Sequence, residues 1–210
     1  MKIAVIAANS RSGQEFVRAA LIAGHQVRAG IHRSSNMKST TGLSIIECDA
    51  TKLVDVIKLI KGQDSVVSFI GHVKYSPPNV QTKATKVIIT AMVSSNQKRL
   101  VSLTGTGVRF PNDKITLIDR FLNKSIAIID SKRVADGINH AELLKNSNLD
   151  WTIIRVLKLT DGKSRQFSLV TNGPTKLFVS RKEVAQAVLK VIEQGAFIRT
   201  APIISKVIKS

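Results

Sequence analysis

Two patterns of apolar residues alternate along the chain: short unbroken runs, and segments where apolar positions recur every three to four residues. Residues 2–7 form an aliphatic run of strand length. Over 11–24, Phe16, Ala19, Ala20 and Ala23 share one helical face, and Gly24-His25 ends the helix. Strands are predicted over 26–32 and 44–48. Thr51 is placed to cap a helix with the stripe Leu53, Val56, Ile57 and Ile60, closed by Gly62. Strand 65–70, a Pro77-Pro78 loop, a helix with Ala84, Val87, Ile88, Ala91 and Met92 inward, and strand 99–103 follow. Residues 115–129 and 132–147 read as helical pieces leading to strand 151–156. The stretch 166–179 reads as a hairpin turning around Asn172-Gly173-Pro174. Ser180 and Glu183 form a capping box for a last helix with Val184, Ala187, Val188, Val191 and Ile192 inward. A final strand, 197–204, is interrupted by Pro202, which suits a sheet edge. Strands alternating with helices predict an α/β chain with a doubly wound, mainly parallel sheet and helices on both faces. Ligand is then expected at the carboxyl ends of the strands. No linker, repeat or low-complexity tract divides residues 1–210, so one domain is expected, with a small substrate-side segment over 157–180 and 196–210.

Composition narrows the picture. The apolar fraction is 43% with only 4% aromatic residues, so the core is aliphatic, as a sheet covered on both faces requires. No apolar stretch approaches the roughly 20 residues that cross a bilayer. The start, Met1-Lys2-Ile3-Ala4-Val5-Ile6, shows no small-residue cleavage site after a longer apolar run, and a cytoplasmic location without membrane contact is expected. The single cysteine, Cys48, excludes an internal disulfide and cannot by itself hold zinc; no metal site is expected. The net charge is +18. Such an excess attracts nucleic acid, anionic surfaces or anionic small molecules. Yet the basic residues are scattered, the longest clusters being pairs such as Lys132-Arg133 and Arg181-Lys182, and aromatics for base stacking are scarce. A solvated basic surface that favours an anionic cofactor is the plainer reading.

The turn Ala7-Ala8-Asn9-Ser10-Arg11-Ser12-Gly13 follows a buried strand and opens a helix, the context a dinucleotide fingerprint requires. Free amides and the positive helix end there suit a pyrophosphate; the alternative is a tight turn without ligand. The turn resembles the Gly-x-x-Gly-x-x-Gly loop of extended and atypical short-chain dehydrogenases/reductases. Only Gly13 of the three positions is glycine; Ala7 is a mild change, whereas Ser10 sets a Cβ where backbone should approach phosphate, with its hydroxyl as a partial compensation. The resemblance extends through Gly24-His25-Gln26-Val27-Arg28, Asp49-Ala50, Gly62-Gln63-Asp64-Ser65-Val66-Val67 and Arg99-Leu100-Val101-Ser102. It continues in Ser147-Asn148-Leu149-Asp150-Trp151-Thr152-Ile153-Ile154-Arg155, Val179-Ser180-Arg181-Lys182-Glu183-Val184-Ala185 and Ile198-Arg199-Thr200-Ala201-Pro202-Ile203-Ile204-Ser205. The whole chain is similar to the NAD(P)H-binding, NmrA-like, biliverdin-reductase-B-like and NADH-flavin-reductase-like branch of that Rossmann-type family.

The resemblance implies a cofactor site. Ala8, Asn9, Ser10, Arg11, Ser12 and Gly13 would hold the pyrophosphate; Asp49 and Ala50 would lie beside the adenine. Ile70, Gly71 and His72 would pass along ribose and pyrophosphate, Ser102 and Thr104 would face the nicotinamide as the catalytic pair, and Val156 and Leu157 would close over the ring; His72 is equally a solvated loop histidine. The family often has Pro at position 156. In that family an acidic residue after the second strand binds the NAD ribose and an arginine the 2′-phosphate. Here Arg33 stands at that offset, flanked by His32, Ser34 and Ser35, so NADP(H) is expected over NAD(H), against the plainer alternative of a solvated loop arginine. The proton-donating Tyr-x-x-x-Lys pair is missing: the only tyrosine, Tyr75, has Asn79 four residues on, and Ile138 falls where the lysine belongs. Arg109, Lys158 and His140 are candidate contacts for an anionic substrate, each equally a surface or structural residue.

Three readings remain. The first is an NADPH-dependent reductase for a planar conjugated acceptor such as flavin or quinone. The second is a non-catalytic NAD(P)-sensing regulator resembling NmrA-like proteins, and the third a basic nucleic-acid- or partner-binding module. A homodimer is compatible with all three.

Overall fold

Strand β1 (Lys2–Ile6) buries Ile3 and Val5 on one face and Ala4 and Ile6 on the other. That two-sided burial decides the architecture, since such a strand needs helices above and below it. The computed structural model describes residues 1–33, 36–114, 116, 120, 121, 124 and 130–207. After β1 come α1 (Arg11–Ile22), β2 (Gln26–Ile31), β3 (Leu43–Glu47), α2 (Leu53–Ile60), β4 (Ser65–Ser68), α3 (Val80–Ser94) and β5 (Arg99–Gly105). Then follow α4 (Ser131–Lys145), β6 (Asp150–Val156), β7 (Lys158–Thr160), β8 (Ser168–Val170), β9 (Phe178–Ser180), α5 (Arg181–Glu193) and β10 (Ile203–Ser205).

The main sheet has eight strands in the order β3-β2-β1-β4-β5-β6-β10-β8, parallel except where β8 runs against β10. A parallel pair, β7 with β9, stands apart. The doubly wound α/β fold is therefore as the alternation predicts. Phe16, Val17 and Ala20 of α1 and Val184, Val188 and Val191 of α5 cover one face. Val56, Leu59 and Ile60 of α2, Ala84, Ile88 and Met92 of α3 and Leu144 of α4 cover the other. Strand order reverses at β1, with β2 on one side and β4 on the other. In sheets of this kind that reversal opens a crevice beyond the carboxyl ends, where ligands bind.

Several local expectations give way. Thr51 does not cap α2: its amide and hydroxyl both bond Asp49 Oδ1, and the N-cap is Lys52, which makes no side-chain bond. Leu53 then lies partly outside, and Leu59 takes the inward place beside Val56 and Ile60. Residues 166–179 form no hairpin, because β8 pairs with β10 and β9 with β7. The last strand spans only 203–205, since Phe197 and Arg199 adopt left-handed backbone (φ 58° and 52°) and Pro202 supplies no amide. It is also an inner strand, with β8 outside it. The helical piece expected over 115–129 falls largely outside the described residues. The Ser180–Glu183 capping box forms as its spacing predicts.

Candidate functional site

The turn from β1 into α1 is built around two close approaches. Ala7 takes a left-handed φ of 57°, the conformation in which a first-position glycine is free and alanine is strained by roughly 1 kcal/mol. Gly13 cannot be replaced in the same way. A Cβ there would lie 2.5 Å from the Ala7 carbonyl oxygen and 2.8 Å from that of Ala8, so the glycine lets the helix start sit directly on the strand end. The Ala8 amide ties the turn to β2 through Gly30 O at 2.9 Å, and Gln14 Nε2 donates to Asn9 O at 2.9 Å. Ser10 is the N-cap: its Oγ accepts the Gly13 amide at 3.0 Å. The amides of Arg11 and Ser12 have no acceptor within the helix by position, and the first turn carries no acidic side chain. Two outward donors and the positive end of the dipole form an anion cradle. Ser10 thus does more than crowd it, because its hydroxyl occupies the third amide.

Arg33, past the end of β2, has φ 65° and is exposed; among the described residues it makes no hydrogen bond or ion pair. Its neighbours Ser34 and Ser35 lie outside the described residues. Asp49 and Ala50 follow β3, both half-buried. Burial pushes the Asp49 carboxyl up, but the Thr51 hydrogen bonds and the nearby His32 and Lys52 bring it below the usual carboxylate range. Cys48 beside it is no nucleophile: burial, then Asp55 and Asp49, push its thiol up to about 12.

At the exits of β4 and β5 the polar groups interlock. Ile70 is half-buried, Gly71 has open space where a Cβ would stand, and His72 points its Nε2 at Asp136 Oδ2, 2.8 Å away on α4. Asp136 also accepts the amides of Gln81 (2.8 Å) and Thr82 (2.9 Å) and the Thr82 hydroxyl, so it caps α3 from a neighbouring helix. One turn on, His140 bonds Thr85 Oγ1 through Nδ1 (2.8 Å) and Ser102 Oγ through Nε2 (3.0 Å). Burial lowers His140 from 6.5 to about 4 against the opposing pull of Asp136, so the ring is neutral near pH 7. With both ring nitrogens engaged and only 2% of the residue exposed, His140 is a structural residue and not the contact for an anionic substrate that the sequence offered. Ser102, 1% exposed, is already engaged by this ring. Thr104, 7% exposed, makes no side-chain hydrogen bond among the described residues, and a Cβ on Gly137 would lie 2.8 Å from its Oγ1. Val156 is buried and Leu157 half-buried at the end of β6. Arg109 is half-buried, Lys158 lies over the exposed Phe178 ring, and Tyr75 is 90% exposed.

Asp136, Thr85 and Gln81 were not singled out in the sequence. The signal was the spacing of Asp136, Gly137 and His140 on a helix face that continues into the buried Ala141 and Leu144. Polar residues on an inward stripe need partners, and these have them. A cavity of about 540 Å³ lies at the opposite, amino end of the sheet, lined by Lys2, Gln26, Arg28, Ser44, Lys61 and Gln63 among others. Arg28 there is committed to the carbonyls of Leu59 and Lys61, and none of the expected site residues reaches it. Among the described residues no cluster of His, Cys, Asp or Glu could hold a metal ion, and no helix is long and apolar enough to cross a membrane.

The same fold recurs in known proteins. A short-chain dehydrogenase/reductase of Veillonella parvula DSM 2008, solved in complex with NADP, superposes with a TM-score of 0.80 at 16% identity, covering 98% of this chain and 94% of that one. A Streptococcus pneumoniae TIGR4 protein designated a candidate NADH-flavin reductase gives 0.79 at 20% identity, covering 99% and 100%. The uncharacterized protein YwnB of Bacillus subtilis (strain 168) is 23% identical over 186 residues, 87% of this chain and 84% of the relative. The model of the NAD(P)H-binding family matches residues 7–195. That match runs from the Ala7 turn through the loop after β2 and the β5–α4 contact to the end of α5, and by it the chain belongs to the NAD(P)H-binding family.

Proposed function

We propose that this chain binds NADP(H) in preference to NAD(H) and reduces a planar conjugated acceptor such as a flavin or quinone. The observation that carries the reading is the pairing of two features at one end of the sheet. One is the Gly13-dependent turn with outward amides at Arg11 and Ser12; the other is Arg33, a guanidinium without a carboxylate partner among the described residues. An arginine fork matches a phosphate, and an unpaired one need not break an ion pair to bind it. The cradle that Gly13 makes possible, by letting the helix start sit on the strand end, fits a pyrophosphate.

In this reading Ala8, Asn9, Ser10, Arg11, Ser12 and Gly13 hold the pyrophosphate, and Arg33 holds the 2′-phosphate. Asp49 and Ala50 border the adenine; Ile70, Gly71 and His72 follow the ribose; Val156 and Leu157 close over the ring. Thr104, free of a side-chain partner among the described residues, meets the nicotinamide side with Ser102 behind it. When bound, the cofactor supplies a hydride; the chain supplies its position and orientation. The segment 157–180 borders the acceptor, the net charge of +18 draws anionic cofactor and acceptor in, and the setting is the cytoplasm. The NADP of the Veillonella protein supports an NADP(H) site and the flavin of the Streptococcus designation supports the acceptor, while that designation names NADH as its cofactor. One observation favours a sensor instead: Ser102 is buried and already bonded to His140.

Calorimetric titration of NADPH and NADH against the protein and against Arg33→Asp tests the preference. NADPH is expected to bind more tightly, and Arg33→Asp to reverse the order by about 1.5–3 kcal/mol of lost charge-assisted bonding. Equal affinities in the unmodified protein would sink the assignment. NADPH oxidation with a free flavin and a soluble quinone decides between reductase and sensor.

A further inference from the structure

We propose that His72 is the proton donor of the reduction, its imidazole oriented by Asp136. This rests on the reductase reading above and supplies what the missing Tyr-x-x-x-Lys pair leaves open. The carboxylate of Asp136 accepts four donors: His72 Nε2, the Gln81 amide, the Thr82 amide and the Thr82 hydroxyl. Its side chain is 1% exposed, so it cannot turn away to solvent. An acceptor fixed in this way requires the hydrogen of the imidazole to sit on Nε2. The other ring nitrogen, Nδ1, makes no hydrogen bond among the described residues. Nδ1 therefore takes up a proton to form the imidazolium and gives it away again, and the ring returns to the tautomer that Asp136 demands.

The position suits this role. His72 leaves β4 on one side of the crevice, directly after Gly71, where a Cβ would meet nothing within 4 Å. Asp136 stands next to Gly137, the residue at which α4 rests against Thr104 at the end of β5. The ring is thus tied to the helix that rests on the end of β5, on the side where the reading above puts the nicotinamide. Asp136 is the charged group that the described residues bring within hydrogen-bond reach of it. His140 is turned away to Ser102 and Thr85, and Lys74 and Tyr75 stand out in solvent.

In the step itself the acceptor gains a hydride from NADPH, whose electron pair forms the new bond. The Nδ1–H bond breaks and its proton goes to the acceptor atom that takes up the displaced electron pair. The products are reduced acceptor, NADP+ and a neutral imidazole, which recovers its proton from water. His72 is the catalytic residue and Asp136 a positioning residue.

The test is NADPH oxidation by His72→Ala, Asp136→Asn and, as control, Tyr75→Phe, with NADPH affinity followed separately by fluorescence. His72→Ala, which also removes a ring from beside the cofactor, is expected to weaken NADPH binding by no more than about tenfold while turnover at saturating NADPH falls about 100- to 10,000-fold, and added imidazole should restore at least about tenfold of it. Asp136→Asn, which keeps an oxygen for only one of the two α3 amides, should lower kcat without changing NADPH affinity, and imidazole should not rescue it because the ring is still in place. Tyr75→Phe should stay within about tenfold. Without turnover, the ring 15N signal of His72, assigned by its loss in His72→Ala, should shift when NADP+ is added. A His72→Ala protein within tenfold of the unmodified rate, a loss that imidazole does not relieve, or a ring signal indifferent to NADP+ would each overturn the proposal alone. An unmodified protein that binds NADPH but oxidises it with neither acceptor overturns the reductase reading and this proposal with it.

Discussion

Single residues at the cradle act through atoms that a sequence pattern does not count. Ser10 reads as a steric fault in a glycine loop, yet in the structure it satisfies the Gly13 amide. Ser10→Gly removes a Cβ and a cap together. Replacing a serine cap by glycine costs only a few tenths of a kcal/mol of stability. The Gly13 amide is then released as a third donor to the anion, so the substitution should tighten NADPH binding several-fold while barely moving Tm. Calorimetry beside a thermal melt separates the two effects. Weaker binding would mean that the Ser10 hydroxyl is itself a ligand of the phosphate. The place of Arg33 past the second strand was legible because its offset from the first strand is a chain property; its freedom from any ion pair among the described residues is a tertiary fact.

Between elements, the strongest polar joint is one that the sequence analysis did not single out. Arg155 of β6 is fully buried, and its Nε and two terminal nitrogens donate to the carbonyls of Ala201, Val108 and Thr171 and to both carboxylate oxygens of Asp113, at 2.5 and 2.7 Å. Five donors meet five acceptors, and the Phe110 ring lies 4.9 Å from the guanidinium carbon. The joint ties β6, the Val108–Asp113 loop and the lead into β10 together. Burial pushes the Asp113 carboxyl up, but the Arg155 hydrogen bonds, with the Phe110 amide, hold it below the usual range. Arg155→Met strands that carboxylate in the interior and orphans three carbonyls. Loss of about 3–5 kcal/mol in urea unfolding is expected. A loss under about 1 kcal/mol would show that water replaces the guanidinium and that the joint carries little of the stability.

The stability of the molecule as a whole should report His140 through its dependence on pH. Its folded value of about 4 lies below the ordinary 6.5, so below pH 6.5 the unfolded chain takes up a proton that the folded chain refuses. The contribution is complete above 6.5 and is lost as pH falls from there toward 4, to a limit of about 3 kcal/mol. The Asp49 and Asp113 carboxyls, both lowered, keep their contributions through that window and give them up only below the ordinary carboxylate range. Urea unfolding at pH 7.5 and 4.5 should therefore show a drop in the unmodified protein that is much smaller in His140→Gln. An equal drop in both would assign the slope to other groups.

The sequence by itself determined the alternation of strands and helices, the layering they require, the helix opening at Ser10-Arg11 and the capping box at Ser180. These rest on periodicity and on neighbours within a few residues, which the chain carries locally. It misplaced the α2 cap because Asp49 competes for Thr51, and it misread 166–179 because both strands there pair with partners distant in the chain. Only the tertiary structure decided that β10 is interior, that Asp136 on one helix caps another and holds His72, and that His140 turns to Ser102. In each case the partner lies 33 or more residues away, Ile203 and Val170 being the nearest pair, and a hydrogen bond across that separation is fixed by packing rather than by spacing in the sequence.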